Sequence, residues 1–199
     1  MIADLPFSQA CENNKRAILP VLSRLFAASH SILEVGSGTG QHATFFAGQL
    51  AHLRWVPSET ADNLSVLLPR CAEYAGDNLA PVEVLDVRQR PWPKLAIDGV
   101  FTANTLHIMS MDAVRDFFFG LGTALQAGAH LATYGPFNYG GAYSSPSNAQ
   151  FDQWLVARNP QSAIRDFEVV DELARDIGLQ LLEDNEMPAN NRLLVWRMS

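Results

Sequence analysis

A short glycine-rich segment carries the most specific chemical signal of the sequence. Its residues, which follow an apolar pair at 32–33, are Glu34-Val35-Gly36-Ser37-Gly38-Thr39-Gly40. Residues 41–47 then have the pattern of a helix. A strand, a tight glycine turn and a helix together bring backbone N–H groups up to a ligand, and glycine suits the turn because a Cβ would hinder positive φ and close approach. The segment therefore predicts a ligand-binding loop, with a purely structural turn as the alternative.

The spacing within this loop indicates which ligand it suits. In a dinucleotide-binding loop, Gly-x-Gly-x-x-Gly, the third glycine would fall at Gln41. The acid two residues before the first glycine suits a pyrophosphate poorly, and it suits a cationic group such as the ammonium and sulfonium of S-adenosylmethionine. We therefore expect S-adenosylmethionine as the cofactor. The candidate cofactor-binding residues of the loop are Glu34, Gly36, Ser37, Gly38 and Gly40.

Two further acids follow predicted strands at positions that would complete such a site. Glu59 lies 19 residues beyond Gly40, close to the spacing at which a carboxylate accepts hydrogen bonds from ribose hydroxyls. Asp86 follows a strand predicted at 82–85 and is placed to hold the adenine amino group. An acid after a strand is common, so a plain surface position for Asp86 remains open.

His107 is the candidate for proton transfer, because an imidazole can titrate near neutral pH. It follows the fourth predicted strand and could act as a base, orient a substrate or serve only the loop's structure. Tyr134, at the end of the fifth predicted strand, could donate to a substrate or simply pack. The other histidines are scattered and neither cysteine belongs to a C-x-x-C pair, so we expect no metal site.

The order of elements predicts an α/β fold. Strands alternate with helices, which favours a parallel sheet with helices on both faces. The last two strands, predicted at 179–183 and 193–197, are joined by a connection too short for a crossover helix and must pair antiparallel. A Rossmann-like seven-stranded sheet with its last strand reversed is typical of class I S-adenosylmethionine-dependent methyltransferases.

We expect a single domain over residues 1–199. Residues 1–28 would form an N-terminal helical cover, and residues 135–165 an insertion that covers the substrate pocket. Proline should bend or split a helix at 9–26 near Pro20 and interrupt one at 62–75 around Pro69. A helix at 147–157 would have Ser147 as its N-cap.

Composition limits the partners. The chain has 199 residues, 48% of them hydrophobic, and a net charge of −7. It has no run rich in Lys or Arg, so nucleic-acid binding is not indicated. No apolar stretch approaches 18 residues, and the N-terminus lacks the pattern of a leader. We expect a soluble cytoplasmic protein, a monomer or homodimer, whose partner is a small-molecule substrate and not a membrane.

Short segments spread along the chain are specific to one family. They are Asn14-Lys15, residues 34–43, Pro57-Ser58, Leu85-Asp86-Val87, Asn104 with His107-Ile108, Tyr134-Gly135-Pro136-Phe137-Asn138, Ser147-Asn148-Ala149 with Phe151-Asp152, Ile164-Arg165-Asp166, and Met187-Pro188-Ala189-Asn190-Asn191. In these segments, and nearly end to end, the chain resembles the family catalogued as domain of unknown function 938. Its animal members are called methyltransferase-like proteins.

The resemblance implies a class I methyltransferase fold and S-adenosylmethionine binding, and it implies no particular substrate. It adds Ser58, Val87 and Asn104 to the candidate cofactor residues. The candidate substrate residues are Asn14, Lys15, Asn138, Ser147, Asn148, Arg165, Asn190 and Asn191. Many relatives carry Asp where this chain has Glu59, a change that should keep the ribose contact.

The leading hypothesis is therefore an S-adenosylmethionine-dependent methyltransferase that acts on a small molecule, with O-methylation favoured. No Asn-Pro-Pro-Tyr or Asp-Pro-Pro-Tyr follows the fourth predicted strand, so methylation of amino groups is not indicated. A nicotinamide-dependent oxidoreductase and a cofactor-binding module without turnover are the alternatives.

The topology also predicts one partly covered pocket beside the cofactor's methyl group, since parallel strands end at one edge of the sheet. The residues expected to line it are His107, Tyr134, Asn138, Arg165 and Asn191, with Phe137 and Phe151 as an aromatic wall. His107 and Asn191 on opposite faces of the sheet edge, or a wide open groove in place of a pocket, would contradict a small-molecule acceptor.

Overall fold

The computed structural model describes residues 5–199, so the first four residues of the predicted N-terminal cover lie outside it. The helices of this part are α1 (Gln9–Leu25), α2 (Gln41–Gln49), α3 (Leu64–Ala72), α4 (Met111–Ala124), α5 (Pro146–Arg158) and α6 (Phe167–Asp176). The strands are β1 (Ser31–Val35), β2 (Arg54–Glu59), β3 (Glu83–Val84), β4 (Gly99–Ala103), β5 (His130–Gly135), β6 (Phe137–Asn138), β7 (Arg165–Asp166), β8 (Leu179–Met187) and β9 (Asn191–Met198).

Seven of the strands form one sheet in the order β3-β2-β1-β4-β5-β9-β8. β9 runs antiparallel to both β5 and β8, while the other pairings are parallel. The predicted α/β class and the reversed last strand are thus confirmed. The two-residue strands β6 and β7 pair in parallel outside this sheet, and neither was predicted.

Residue alternation along the strands divides the core into two layers. On one face, Ile32, Trp55 and Phe101 pack against buried side chains of α1 and α2. On the other, Leu33 and Val100 pack against buried side chains of α4 and α6. Each large apolar side chain buried in this way contributes about 1.5–3 kcal/mol, and together they hold the ends of the parallel strands at one edge.

The structure differs from the expected split of α1, the expected interruption of α3 and the expected N-cap of α5. α1 is not split at Pro20 and α3 is not interrupted at Pro69. The lost backbone hydrogen bonds are offset by packing, since α1 buries an apolar stripe around Pro20. The N-cap of α5 is Ser145, not Ser147: its Oγ accepts from the N–H of Asn148 at 3.1 Å. Pro146 then occupies the first turn, where it has no N–H to leave unpaired.

Segment 135–165 contains β6, α5 and the start of β7, so it includes regular secondary structure.

No helix within residues 5–199 is long and apolar enough to span a membrane.

Candidate functional site

The glycine loop joins the C-terminal end of β1 to α2 and has the backbone geometry that only glycine adopts readily. Gly36, Gly38 and Gly40 have φ angles of 75°, 54° and 75°. No atom lies within 4 Å of the position that a Cβ on Gly38 would occupy, so the space in front of the loop is open. A Cβ on Gly36 would lie 2.9 Å from the side chain of Thr105, so the segment after β4 closes against the loop.

Three hydrogen bonds tie the end of β2 to this loop, and a fourth fixes the Glu59 carboxylate. The N–H of Ser37 donates to the carbonyl of Ser58 at 2.9 Å, and the N–H of Ser58 donates to the Ser37 hydroxyl at 3.1 Å. The N–H of Gly38 donates to Oε2 of Glu59 at 2.9 Å, while Oε1 accepts from the N–H of Thr60. The buried Glu59 carboxylate is therefore fixed beside the open space in front of Gly38.

Glu34 lies beneath the loop, among the side chains of the α1 and α2 layer. Its Oε2 accepts from the Trp55 indole N–H at 2.8 Å. Burial raises the pKa of Glu34 to about 7, and the nearby Glu59 carboxylate acts in the same direction. Near neutral pH this carboxyl can therefore be neutral or charged, and a cation close to it would favour the charged form.

Asp86 and Val87 follow β3 and Asn104 follows β4, strands that are not adjacent in the sheet, and each of these residues already has contacts within the protein. Arg88 donates to both carboxylate oxygens of Asp86, and this lowers the Asp86 pKa. Val87 is buried. Asn104 has a φ of 57° and donates its N–H to the carbonyl of Tyr134 at 2.8 Å. An adenine amino group would thus share Asp86 with the exposed Arg88 side chain.

His107 is enclosed in the protein. Its ring packs edge-on against Phe151 at 5.3 Å between centroids. Burial, with the positive charge of Arg165 as a further cause, lowers the pKa of His107 to about 4. The ring is therefore neutral at physiological pH, and it is a weak base.

Arg165 is bound to the backbone of the segment that carries His107. Its guanidinium donates to the carbonyls of Leu106, Met109 and Gln161. The buried side chain thus holds the turn after β4, and its donors are directed at carbonyls of the protein itself. The sequence predicted Arg165 as a substrate residue, and the structure gives it this positioning contact.

A second polar cluster lies on the other face of the sheet. Nε2 of the buried His42 lies 2.6 Å from Oδ1 of Asn14. The side chains of Asn14 and Asn191 lie beside the Tyr134 hydroxyl and partly offset the rise in Tyr134 pKa that burial causes. Burial also lowers the pKa of His42 to about 4, so the ring is neutral and can donate from Nε2 to the Asn14 oxygen. The sequence did not identify His42, although it lies in one of the family segments.

The residues expected to line one pocket are divided between the two faces of the sheet. Tyr134 belongs to the layer with α1 and α2, and its strand neighbour Gly135 faces the opposite way. A Cβ on Gly135 would lie 3.5 Å from Nδ1 of His107. Asn191 lies beside Tyr134, so His107 and Asn191 are on opposite faces of the sheet. This separation is the outcome that was expected to contradict a small-molecule acceptor, and it counts against one.

The remaining predicted substrate residues lie in three places. Asn138 Oδ1 is buried and has no hydrogen-bond partner among the described residues. Asn148 donates to the carbonyl of Asn190 at 3.0 Å, and Asn190 donates to the Ser147 hydroxyl at 3.2 Å, so the start of α5 is joined to the turn between β8 and β9. Lys15 pairs with Glu12 at 2.7 Å.

This fold is that of the class I methyltransferases, as comparison with solved structures shows. An O-methyltransferase family protein from Burkholderia thailandensis superposes with a TM-score of 0.81 at 13% identity, over 93% of this chain and 56% of that one. Human N-acetylserotonin methyltransferase, solved with S-adenosylmethionine, gives 0.74 at 11% identity, over 93% and 55%. The methyltransferase SibL gives 0.75 at 20% identity, over 92% and 55%.

The chain belongs to the DUF938 family. The family model described as "Protein of unknown function (DUF938)" matches residues 5–198, which confirms the resemblance found in the sequence. The chain spans little more than half the length of the solved methyltransferases above.

Proposed function

We propose that this protein binds S-adenosylmethionine and transfers its methyl group to a small molecule, preferably to an oxygen. The observation that carries the proposal is the fixed Glu59 carboxylate, hydrogen-bonded to the N–H of Gly38 and next to open space at the ends of β1 and β2. The names of the O-methyltransferase from Burkholderia thailandensis and of the human enzyme solved with S-adenosylmethionine support the same activity.

The residues of the loop fit this cofactor. Glu59 can accept from ribose hydroxyls, because the hydrogen bond from Gly38 leaves lone pairs on its carboxylate. Glu34 can balance a cationic group, and Asp86 can accept from an adenine amino group. When bound, S-adenosylmethionine supplies an electrophilic methyl group on a positively charged sulfur. Because Gly36 and Gly38 have no side chains, the loop would let the cofactor lie close to the backbone.

The acceptor needs little proton transfer from the protein if it is acidic itself. With its pKa near 4, His107 would be a poor general base at neutral pH. We propose that it orients an acceptor or the loop, and that catalysis comes mainly from positioning. Tyr134 lies on the other face and can donate its hydroxyl proton, since Asn14 and Asn191 lie beside its oxygen.

Two segments are proposed to cover the site. Residues 1–28 include α1, which carries Asn14 into the cluster around Tyr134. Residues 135–165 include α5, whose first turn is bonded to the β8–β9 turn through Asn148 and Asn190. Together they would enclose the edge of the sheet, as a small-molecule acceptor requires.

Calorimetric titration tests the proposal. S-adenosylhomocysteine should bind and raise the melting temperature by an amount that follows RT ln(1 + [L]/Kd). Reduced nicotinamide cofactors should not, and the reverse result would favour the oxidoreductase. Turnover is then tested with methyl-labelled S-adenosylmethionine and a small-molecule cell extract. Binding without any labelled product would instead identify a cofactor-binding module.

A further inference from the structure

A cavity of about 420 Å³ lies at the turn between β8 and β9, away from the glycine loop. Its size is within the range of small-ligand sites. The side chains that matter for its chemistry are those of Tyr139, Ser144, Glu186, Met187, Asn191 and Arg192. Met187 and the ring of Tyr139 offer apolar surface, and Ser144 and Arg192 offer hydrogen-bond donors. The Asn191 amide already donates to the carbonyls of Pro188 and Ala189. The donor groups suit an oxygen-rich ligand with an apolar body.

Hydrogen bonding to Asp184 fixes the position of the Arg192 side chain. Its Nε donates to Oδ1 of Asp184 at 2.6 Å, and the Tyr139 hydroxyl donates to Oδ2 of the same carboxylate at 2.8 Å. Asp184 therefore fixes both side chains and satisfies one edge of the guanidinium. A charge held in this way loses little conformational entropy when it binds a ligand.

The outer edge of Arg192 has only a weak partner. Nη1 lies 3.2 Å from Oε1 of Glu186, whose side chain is 89% exposed, while the Arg192 side chain is 22% exposed. An ion pair with one partner so exposed contributes little to stability. A carboxylate entering the cavity can replace Glu186 at little cost and gain the donor of Ser144 as well.

The cavity also adjoins the proposed reaction edge. Arg192 pairs with Gly135 at the end of β5, and Asn191 lies beside the Tyr134 hydroxyl. β9 is three strands from β1 in the sheet order, a distance of about 14 Å at the usual strand spacing. A small molecule anchored here could reach toward the glycine loop.

We propose that this cavity is the acceptor subsite and that it binds a small molecule carrying a carboxylate, anchored by Arg192. Only the role of this cavity as an acceptor subsite rests on the proposed function. Carboxylate binding itself can be measured without any cofactor.

The test compares benzoate with its neutral and cationic counterparts, benzamide and benzylamine, by NMR titration of the full-length protein. Benzoate should bind most tightly and shift the backbone amides of Ser144, Asn191 and Arg192. Preferential binding of benzylamine, equal binding of benzoate and benzamide, or shifts confined to other regions would overturn the proposal.

Two variants test the recognition itself. Arg192→Gln should weaken benzoate at least about tenfold, the effect of losing a hydrogen bond to a charged group. Glu186→Gln should tighten it about two- to fivefold, because the competing acid is removed. Arg24→Gln removes a guanidinium that pairs with Glu183 elsewhere, so it is the matched control and should leave benzoate binding unchanged.

The Glu186→Gln titration remains a test even if Arg192→Gln does not fold. Unchanged or weaker benzoate binding by the Glu186→Gln protein would contradict the proposal. Each titration is repeated with S-adenosylhomocysteine. If S-adenosylhomocysteine does not bind but benzoate does, the proposed function fails and the carboxylate site remains. If benzoate does not bind but S-adenosylhomocysteine does, only the carboxylate site fails.

Discussion

The N–H of Gly38 donates a 2.9 Å hydrogen bond to the carboxylate of Glu59. This contact joins the glycine loop after β1 to the end of β2, and it holds an acid beside the open space where the proposed function places a ribose. The arrangement makes the loop and the acid parts of one site, so each can be tested by substitution with a matched control.

Gly38→Ala should weaken the binding of S-adenosylhomocysteine by roughly tenfold, or about 1.4 kcal/mol. The new methyl group would point into the open space in front of the loop, and alanine at a φ of 54° costs about 1–2 kcal/mol. Gly140→Ala is the control, because Gly140 also has open space and a φ of 58°. Both variants should lose stability, but only Gly38→Ala should show a changed dissociation constant in calorimetry.

Glu59→Gln should weaken S-adenosylhomocysteine about ten- to hundredfold, since a hydrogen bond to a charged acceptor contributes about 1.5–3 kcal/mol. The amide oxygen can still accept from Gly38, so the loop should keep its shape. Asp62→Asn removes a nearby exposed acid and should have little effect. Identical affinity for the Glu59→Gln and wild-type proteins would exclude the ribose role.

Lowering the pH should destabilise the protein before its surface carboxylates titrate. His42 and His107 have pKa values of about 4 in the folded state against about 6.5 when unfolded. The unfolded chain therefore binds more protons, and stability is lost as pH falls from 6.5 toward 4, by up to about 1.4 kcal/mol per pH unit for each histidine.

Urea unfolding at pH 5 and pH 7 measures this loss. His107→Gln should lose less stability on acidification than the wild type, because one of the two groups is gone. The exposed His30 provides the control substitution, His30→Gln. A His107→Gln protein with the same pH dependence as the wild type would mean that His107 is accessible to protons in the folded state.

Glu34 should have the opposite dependence. Its pKa is raised from 4.5 to about 7, so the folded state holds a proton that the unfolded state has released. Stability is therefore lost as pH rises from 4.5 through 7. Glu34→Gln cannot ionise and can still accept from Trp55. It should be more stable than the wild type at pH 8, by on the order of 3 kcal/mol, and nearly equal to it at pH 4.5. A difference that is the same at both pH values would be inconsistent with the raised pKa.

Arg165→Lys should loosen the turn that carries His107. Lysine cannot reproduce the planar set of donors that binds the carbonyls of Leu106, Met109 and Gln161. We expect a loss of about 2–3 kcal/mol and faster hydrogen exchange at the Met109 amide. Arg158→Lys is the control, since that guanidinium lies over Trp154 on the surface. Unchanged exchange at 106–109 would show that the turn is held by other contacts.

The sheet, the loop and the reversed last strand could be predicted because their signals are local. Glycine spacing, alternation of strands with helices and a short final connection act through backbone sterics and connection length, which need no knowledge of distant residues. The spacing between Gly40 and Glu59 was informative for the same reason, because one βαβ unit determines it. The continuous α1 was missed because packing of its buried stripe outweighed the local effect of proline.

The division of the site into two faces was decided only by tertiary structure. Tyr134 and Gly135 are neighbours in sequence, yet the alternation of a strand directs them to opposite layers. His107 lies on the Gly135 side because Arg165, 58 residues further along the chain, holds the turn after β4. Asn191 lies on the Tyr134 side because β9 pairs with β5 in one register, Leu193 opposite Tyr134. The sequence alone determined which residues reach the edge of the sheet, and long-range contacts and register decided which of them meet.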